Sequence, residues 1–391
     1  MKKFLCAALA CAMAFSMAAC SSGETTTETT TETTTTEPAK FVIGGIGPIT
    51  GAAATYGTAV MNAAQIAVDE INAAGGINGT QIEFIFQDDE HDAEKAVNAY
   101  NSLKDKNMQV LMGTVTSTPC IAVAEVAAQD NMFLLTPSGS AVDCIAYDNA
   151  FRICFSDPNQ GIASAQYIKE NGLATKVAVI YNSSDVYSQG IYEKFAMEAA
   201  NVGLEIATAE AFTNDTAKDF SVQLQKVQAS GADLVFLPIY YEAAALILTQ
   251  ADSLGLDVKF FGCDGLDGVI PQLGDNAALA EGVMLLTPFA ADAADDATQA
   301  FVAAYQAKHN EVPNQFAADA YDAIYVIKAA IEKAGITDAN ISASDLCDAL
   351  KAAMVEIEVP GLTGTMTWTA DGEPSKTPKA MVIADGAYKA M

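Results

Sequence analysis

The sequence is poor in positive charge. It has one arginine (Arg152), 20 Lys plus Arg against 49 Asp plus Glu, and a formal net charge of −29 over 391 residues. Neutralising a phosphate backbone needs clustered Lys and Arg, so nucleic-acid binding is excluded, and an anionic lipid surface is disfavoured as a direct partner. Its two histidines, His91 and His309, lie far apart, and Trp368 is its one tryptophan. No Cys-x-x-Cys or Cys/His ligand spacing occurs, which argues against structural zinc. No Gly-x-Ser-x-Gly nucleophile turn is found, and Gly44-Gly45-Ile46-Gly47 lacks the dinucleotide-binding spacing. After the N-terminus no apolar run is long enough to span a bilayer, so the chain is not a multi-spanning membrane protein. With no activated nucleophile, metal set or cofactor loop, the residues read as a binding protein without cofactor or metal rather than an enzyme.

What is present begins with an address. Lys2 and Lys3 precede an apolar, small-residue run over 4–19, the length of a signal-peptide core. The run ends Ser16-Met17-Ala18-Ala19-Cys20, which resembles a bacterial lipobox with Met17 standing where Leu is usual. On that reading residues 1–19 are removed and Cys20 carries the lipid anchor. The alternatives are a plain secretory cleavage nearby, or Cys11 in the same role. Several acyl chains together anchor stably where one is marginal. Residues 24–37 are Thr and Glu only. They cannot bury area to offset their ordering entropy, so 20–39 is expected to be a disordered tether. Losing the two leader lysines takes the net charge to about −31.

Beyond the leader five cysteines remain: Cys120, Cys144, Cys154, Cys263 and Cys347. An odd number without tight spacing is not a disulfide framework. Cys154, in Phe-Arg-Ile-Cys-Phe, is expected as a buried thiol. A Cys120–Cys144 bridge stays open as an alternative to free thiols.

From residue 40 strands and helices alternate. Strands are expected over 41–46, 82–87, 110–113, 133–136 and 151–155, with helices over 59–73, 93–104 and 121–129. A second series follows Asp157-Pro158, with strands over 176–181, 204–209, 233–238, 259–262 and 282–286 and helices over 189–201, 220–229 and 243–254. Helices over 299–309, 319–334 and 343–354 and a strand-like pair over 363–368 and 380–383 complete the chain. Near-continuous apolar strands separated by helices imply parallel sheets covered on both faces. The expected class is therefore α/β, with two doubly wound, Rossmann-like lobes, both discontinuous.

Several stretches carry a resemblance. They are Gly45-Ile-Gly-Pro-Ile-Thr-Gly51 with Tyr56-Gly57, Ala73-Ala-Gly-Gly-Ile-Asn-Gly79, Gln87-Asp88-Asp89, Leu135-Thr-Pro-Ser138, Phe151-Arg-Ile-Cys-Phe with Gln160-Gly161, and Ala320-Tyr321-Asp322-Ala323. In this order, across about residues 40–385, the chain resembles the branched-chain amino-acid (Leu/Ile/Val) type I periplasmic binding proteins of ABC importers. The resemblance implies two lobes joined by a three-crossover hinge and closing on one ligand. Lobe 1 would hold 40–157 plus 288–362, and lobe 2 would hold 158–287 plus 363–391.

Loops at the carboxyl ends of parallel strands are where such sheets bind ligands. Small hydroxyl residues there let backbone N–H groups and helix N-termini approach a carboxylate. By resemblance Ser117, Ser138 and Ser140 hold the ligand's carboxylate and amino group, while Ser117 read alone is a helix N-cap. Asp264, in Gly262-Cys263-Asp264-Gly265, stands where the family carries an acid for the α-ammonium, often Glu; read alone it is a turn residue. Tyr56, Tyr187 and Tyr240 match cleft tyrosines, with Tyr241 competing for the place of Tyr240. The implied function is a lipid-anchored extracytoplasmic protein, monomeric, that captures a free aliphatic amino acid and presents it to ABC permease subunits. The alternatives are another small ligand (amide, urea or aromatic acid) or a ligand-sensing receptor subunit.

The remaining polar clusters read as structural. Asp88, Asp89, Glu90, His91 and Asp92 gather acids at a helix N-terminus. His91 and His309 are expected on the solvated surface, Arg152 in a structural pair, and Asp292–Asp296 on a solvated face.

Overall fold

A computed structural model describes residues 39–391. The leader expected over 1–19, the anchor expected at Cys20 and all of the expected tether but residue 39 lie outside the described residues. The first series is β1 (Phe41–Gly47), α1 (Ala54–Ala73), β2 (Ile82–Asp88), α2 (Ala93–Lys104), β3 (Val110–Gly113), α3 (Ser117–Gln129), β4 (Phe133–Thr136) and β5 (Ala150–Arg152). The second is α4 (Asp157–Glu170), β6 (Lys176–Asn182), α5 (Val186–Val202), β7 (Glu205–Phe212), α6 (Ser221–Ser230), β8 (Leu234–Leu237), α7 (Tyr241–Ser253), β9 (Lys259–Gly262), α8 (Val269–Leu273) and β10 (Met284–Thr287). Then come α9 (Asp296–His309), α10 (Gln315–Lys333), α11 (Ala343–Met354), β11 (Val359–Gly361), β12 (Gly364–Met366), β13 (Lys379–Ala384) and β14 (Ala387–Ala390). Among the described residues no helix is long and apolar enough to cross a membrane.

One sheet has the order β2-β1-β3-β4-β5, all parallel; the other runs β14-β13-β10-β9-β8-β6-β7, with β6 to β10 parallel and β13 and β14 antiparallel. Strands β3, β4, β8 and β10 are buried along their whole length, as expected of sheets covered on both faces. Helix α1 buries Val60, Ala63, Ala64, Ala67, Val68 and Ile71, a 3–4 spaced stripe that packs against α10. The chain crosses between the sheets three times: after β5, after β10 and before β13. Helices α9 to α11 thus return to the first sheet, where α11 packs on β4.

Most expected elements are present, and the departures have local causes. Helices α1, α3 and α10 begin four or five residues earlier than their apolar periodicity indicates, because their first turns are mostly small or polar residues and carry no apolar period. Helix α4 was not foreseen: Pro158 sits in its first turn and Gly161 interrupts its pattern. A Cβ on Gly161 would stand 2.4 Å from the Ile191 carbonyl oxygen, so the glycine lets α4 and α5 pack closely. The two C-terminal strands do not pair with each other; β12 pairs with β11, and β13 with β10 and β14. Residues assigned above to lobe 2 from 363 onward bond first to the other side. The Trp368 indole donates to the Arg152 carbonyl at 2.8 Å, the Arg152 amide donates to Gly372 O at 3.1 Å, and Lys376 pairs with Asp319 at 3.3 Å.

Candidate functional site

Apart from Phe316, every residue of the site lies in a loop that leaves the carboxyl end of a parallel strand or in the first turn of the helix that follows. Tyr56 lies in the first turn of α1, Val115 and Thr116 between β3 and α3, and Ser138 and Ser140 after β4. From the second sheet come Tyr187 at the start of α5, Tyr240 before α7, and Asp264 and Gly265 after β9. Phe316, in the first turn of α10, completes the wall of a nearly closed cavity of about 10 Å³.

The second-sheet wall is organised around Asp264, which is 5 % exposed. The Tyr187 hydroxyl donates to Asp264 Oδ1 at 2.6 Å and accepts from Gly265 N at 2.9 Å. A Cβ at position 265 would lie 2.6 Å from that hydroxyl, so only glycine leaves room for it. The Gln160 amide oxygen accepts from Asp264 N at 3.2 Å. Burial pushes the Asp264 carboxyl up to about 6, against the opposing bond from Tyr187. Asp157, at the start of α4, is 1 % exposed and neither of its oxygens has a hydrogen-bond partner. Burial holds its pKa well above the carboxylate range.

The first-sheet wall is held by Arg152. Buried completely, it donates to the carbonyls of Gly139 (3.3 Å), Ser140 (2.5 Å), Ala141 (3.1 Å) and Val142 (3.4 Å), and its Nε lies 3.4 Å from Glu373. The arginine therefore fixes the loop that carries Ser138 and Ser140, in the structural role expected of it. The Ser138 hydroxyl donates to Val115 O at 2.7 Å, tying that loop to the one before α3. Thr116 is the N-cap of α3, so the positive end of that helix faces the same cavity.

The two walls meet through tyrosines. The Tyr56 hydroxyl donates to Gly265 O at 2.6 Å and accepts from Tyr241 N at 3.2 Å. The Tyr56 ring packs on Phe316 at 4.2 Å and edge-on to Tyr240 at 5.7 Å, while Tyr240 stacks on Tyr187 at 4.7 Å.

Residues 40–387 match the family described as periplasmic binding protein. The chain belongs to this family. It is 31% identical over 338 residues to the Leu/Ile/Val-binding protein BraC3 of Rhizobium johnstonii, covering 86% of this chain and 89% of that one. Among solved structures it is similar to the branched-chain amino acid transporter substrate-binding protein LivJ of Streptococcus pneumoniae in complex with isoleucine. There the TM-score is 0.81 and the identity 29%, over 90% of this chain and 99% of that one. A solute-binding protein from R. palustris in complex with benzoate shares the fold, with TM-score 0.79 and 20% identity over 90% and 96% of the two chains. The architecture is the type I periplasmic binding protein fold.

In this periplasmic binding protein, six of the seven residues singled out for ligand contact line one cavity: Tyr56, Ser138, Ser140, Tyr187, Tyr240 and Asp264. Ser117 does not. It stands behind the wall as the first residue of α3, where its hydroxyl accepts from Ala141 N at 3.2 Å. Tyr240 rather than Tyr241 lines the cavity; Tyr241 sits beneath it, 4.9 Å from Tyr56. Thr116 and Phe316 were missed. Thr116 could have been found as the N-cap one residue before Ser117, and Phe316 by starting α10 at the Asn314 cap.

Other expectations need correction. Asp92 alone of the 88–92 acids caps α2, accepting from Lys95 N at 2.9 Å, whereas Asp89 is fully buried. His91 is half-buried against Tyr240 rather than solvated, and His309 is half-buried against Tyr305. Cys154 is buried as expected but follows β5 rather than lying in it. Cys120 and Cys144 are buried as free thiols.

Burial raises Asp89, Asp267 and Asp319 to about 7 and Asp185 and Asp264 to about 6. Between pH 4 and 7 the folded protein therefore holds protons that the unfolded chain has released. The stability of the ligand-free protein is then greatest near pH 5 and falls as pH rises to 8. Thermal melts from pH 5 to 8 check this; a melting temperature that rises across the range contradicts it.

Proposed function

We propose that the protein is a lipid-anchored, extracytoplasmic solute-binding protein that captures an aliphatic, branched-chain amino acid and delivers it to an ABC importer. The observation that carries this reading is one small cavity with a buried acid, Asp264, on one wall and the N-terminus of α3 with the Ser138–Ser140 loop on the other. An α-amino acid presents an ammonium to the first and a carboxylate to the second. Family membership and the Leu/Ile/Val-binding relative support the same ligand class. An aromatic acid brings a carboxylate and no cation, which would leave Asp264 buried and uncompensated.

On this reading Ser138, Ser140, Tyr56, Tyr187, Tyr240 and Asp264 touch the ligand. Ser117 contributes through its backbone and the loop it braces. The lobes comprise 40–157 plus 288–376 and 158–287 plus 377–391, and they close by hinge motion. Cys20 carries the anchor, and 20–39 is the tether. The protein acts as a monomer with permease subunits as partners.

Thermal melting of denatured and refolded protein against the twenty amino acids at about 1 mM tests it. A ligand that binds only the folded state at a thousandfold excess over Kd adds about 4 kcal/mol. A shift with leucine, isoleucine or valine is expected; a flat panel contradicts the reading. Within it, Tyr56→Phe removes both hydroxyl bonds between the walls and keeps the ring. Two such bonds are worth about 1–3 kcal/mol, so affinity is expected to fall roughly 5- to 100-fold by titration calorimetry. Unchanged affinity would show that these bonds do not support closure.

A further inference from the structure

The loop between β2 and α2 stands outside the cavity wall and still touches both of its sides. Glu90 and His91 are consecutive residues with positive φ, 51° and 61°. Two adjacent non-glycine residues in the left-handed region are uncommon and are held there by their surroundings. Here Asp88 Oδ1 accepts from Glu90 N and Asp89 Oδ1 from His91 N, both at 2.9 Å, while Asp88 is also tied to the turn after β1 through Ile49 N at 2.9 Å. Helix α2 does not need this conformation, because Asp92 provides its cap.

The effect of the conformation is to aim His91 across the cleft. Its Nδ1 lies 2.8 Å from the hydroxyl of Thr116, the first-sheet wall residue that caps α3. Its ring meets the Tyr240 ring of the second-sheet wall at 5.6 Å and 90°. Tyr240 in turn stacks on Tyr187, whose hydroxyl binds Asp264. A continuous line of contacts therefore runs from the half-buried His91 to the acid at the centre of the site.

We propose that His91 is a latch: a positioning residue that does not line the cavity but joins Thr116 on one wall to Tyr240 on the other, and so sets how fast a bound ligand leaves. The proposal rests on the reading of the cavity as a ligand site that opens and closes. One aromatic edge contact and one hydrogen bond made only in the closed state would act mainly on dissociation.

The test compares wild type, His91→Asn and His91→Phe, each with L-isoleucine in stopped-flow and in thermal melts without ligand. Asn accepts the left-handed backbone and is too short to reach Tyr240; Phe keeps the ring contact and loses the bond to Thr116. The expected result is about tenfold faster dissociation for His91→Asn, an association rate within about twofold of wild type, an unchanged ligand-free melting temperature, and partial recovery in His91→Phe. Unchanged dissociation in His91→Asn would overturn the latch. Faster dissociation accompanied by a lowered ligand-free melting temperature and no recovery in His91→Phe would also overturn it, by making His91 a loop support. If wild type does not bind isoleucine, the ligand reading fails separately. The latch is then tested with whichever of the other amino acids or benzoate raises the wild-type melting temperature most: faster dissociation of that probe in His91→Asn supports it, and an unchanged rate overturns it.

Discussion

Replacing Asp264 by alanine is expected to weaken binding of leucine, isoleucine or valine by about 30-fold to several thousand-fold while leaving the ligand-free protein as stable as wild type or more so. Removing one partner of a buried charge pair costs about 2–5 kcal/mol in such interfaces, and each 1.4 kcal/mol is a factor of ten. The stability side follows from burial. The carboxyl is held at about 6 because the closed cavity disfavours its charge, so deleting it removes a penalty at neutral pH. Asp264→Asn keeps a group that can accept from Tyr187 but has no charge for an ammonium, and it should lose affinity nearly as far. Binding should also depend on pH in one direction. An ammonium needs Asp264 ionised, so affinity is flat above about pH 7 and declines as pH drops below about 6. Calorimetry of the two variants and of wild type from pH 5 to 8 reads all of this. An Asp264→Ala protein that binds like wild type would remove the acid from the site.

Arg152→Met is expected to produce the largest loss of stability of any single substitution considered. The guanidinium serves four consecutive carbonyls and faces Glu373, all within the interior. An apolar side chain leaves those oxygens and the half-buried carboxylate without partners. Breaking a buried ionic network in this way costs about 3–5 kcal/mol, which for a protein of this size lowers the melting temperature by roughly 4–7 °C. Ligand affinity should fall as well, because the same carbonyls belong to the loop that holds Ser138 and Ser140 in the wall. Arg152→Lys should not restore either property, since a single ammonium cannot spread over a planar fan of acceptors. Melting and titration of both variants check the result. A melting temperature within 2 °C of wild type for Arg152→Met would mean that other contacts hold the loop.

The contrast between these two residues shows what can be read from residue order alone. Elements whose ends coincide with a change in apolar pattern were legible to the residue: α2, β3, β4, β9 and α11. Helix starts were not, because the first turns of α1, α3 and α10 are built from residues such as Ala54, Ser117 and Gln315 that carry no apolar period. Those same first turns supply Tyr56 and Phe316, and Thr116 precedes one as its cap, so part of the wall lay where the pattern is silent. Pairing of the C-terminal strands was misjudged since alternation identifies a strand but does not name its neighbour. Asp264 was legible only through the family resemblance, which places an acid there; read alone it is a turn residue. His91 was not, because its position depends on a left-handed backbone set by Asp88 and Asp89, which sequence alone reads as a helix cap.

The central claim is that this periplasmic binding protein recognises both charges of an aliphatic amino acid. The most direct measurement is calorimetric titration of denatured and refolded protein at pH 7.5 with leucine and with 4-methylpentanoate, the same molecule without its ammonium. Leucine is expected to bind at micromolar Kd or tighter, about −8 kcal/mol or better, and 4-methylpentanoate at least 100-fold more weakly. Equal affinity for the two, or binding of 4-methylpentanoate alone, would contradict the account.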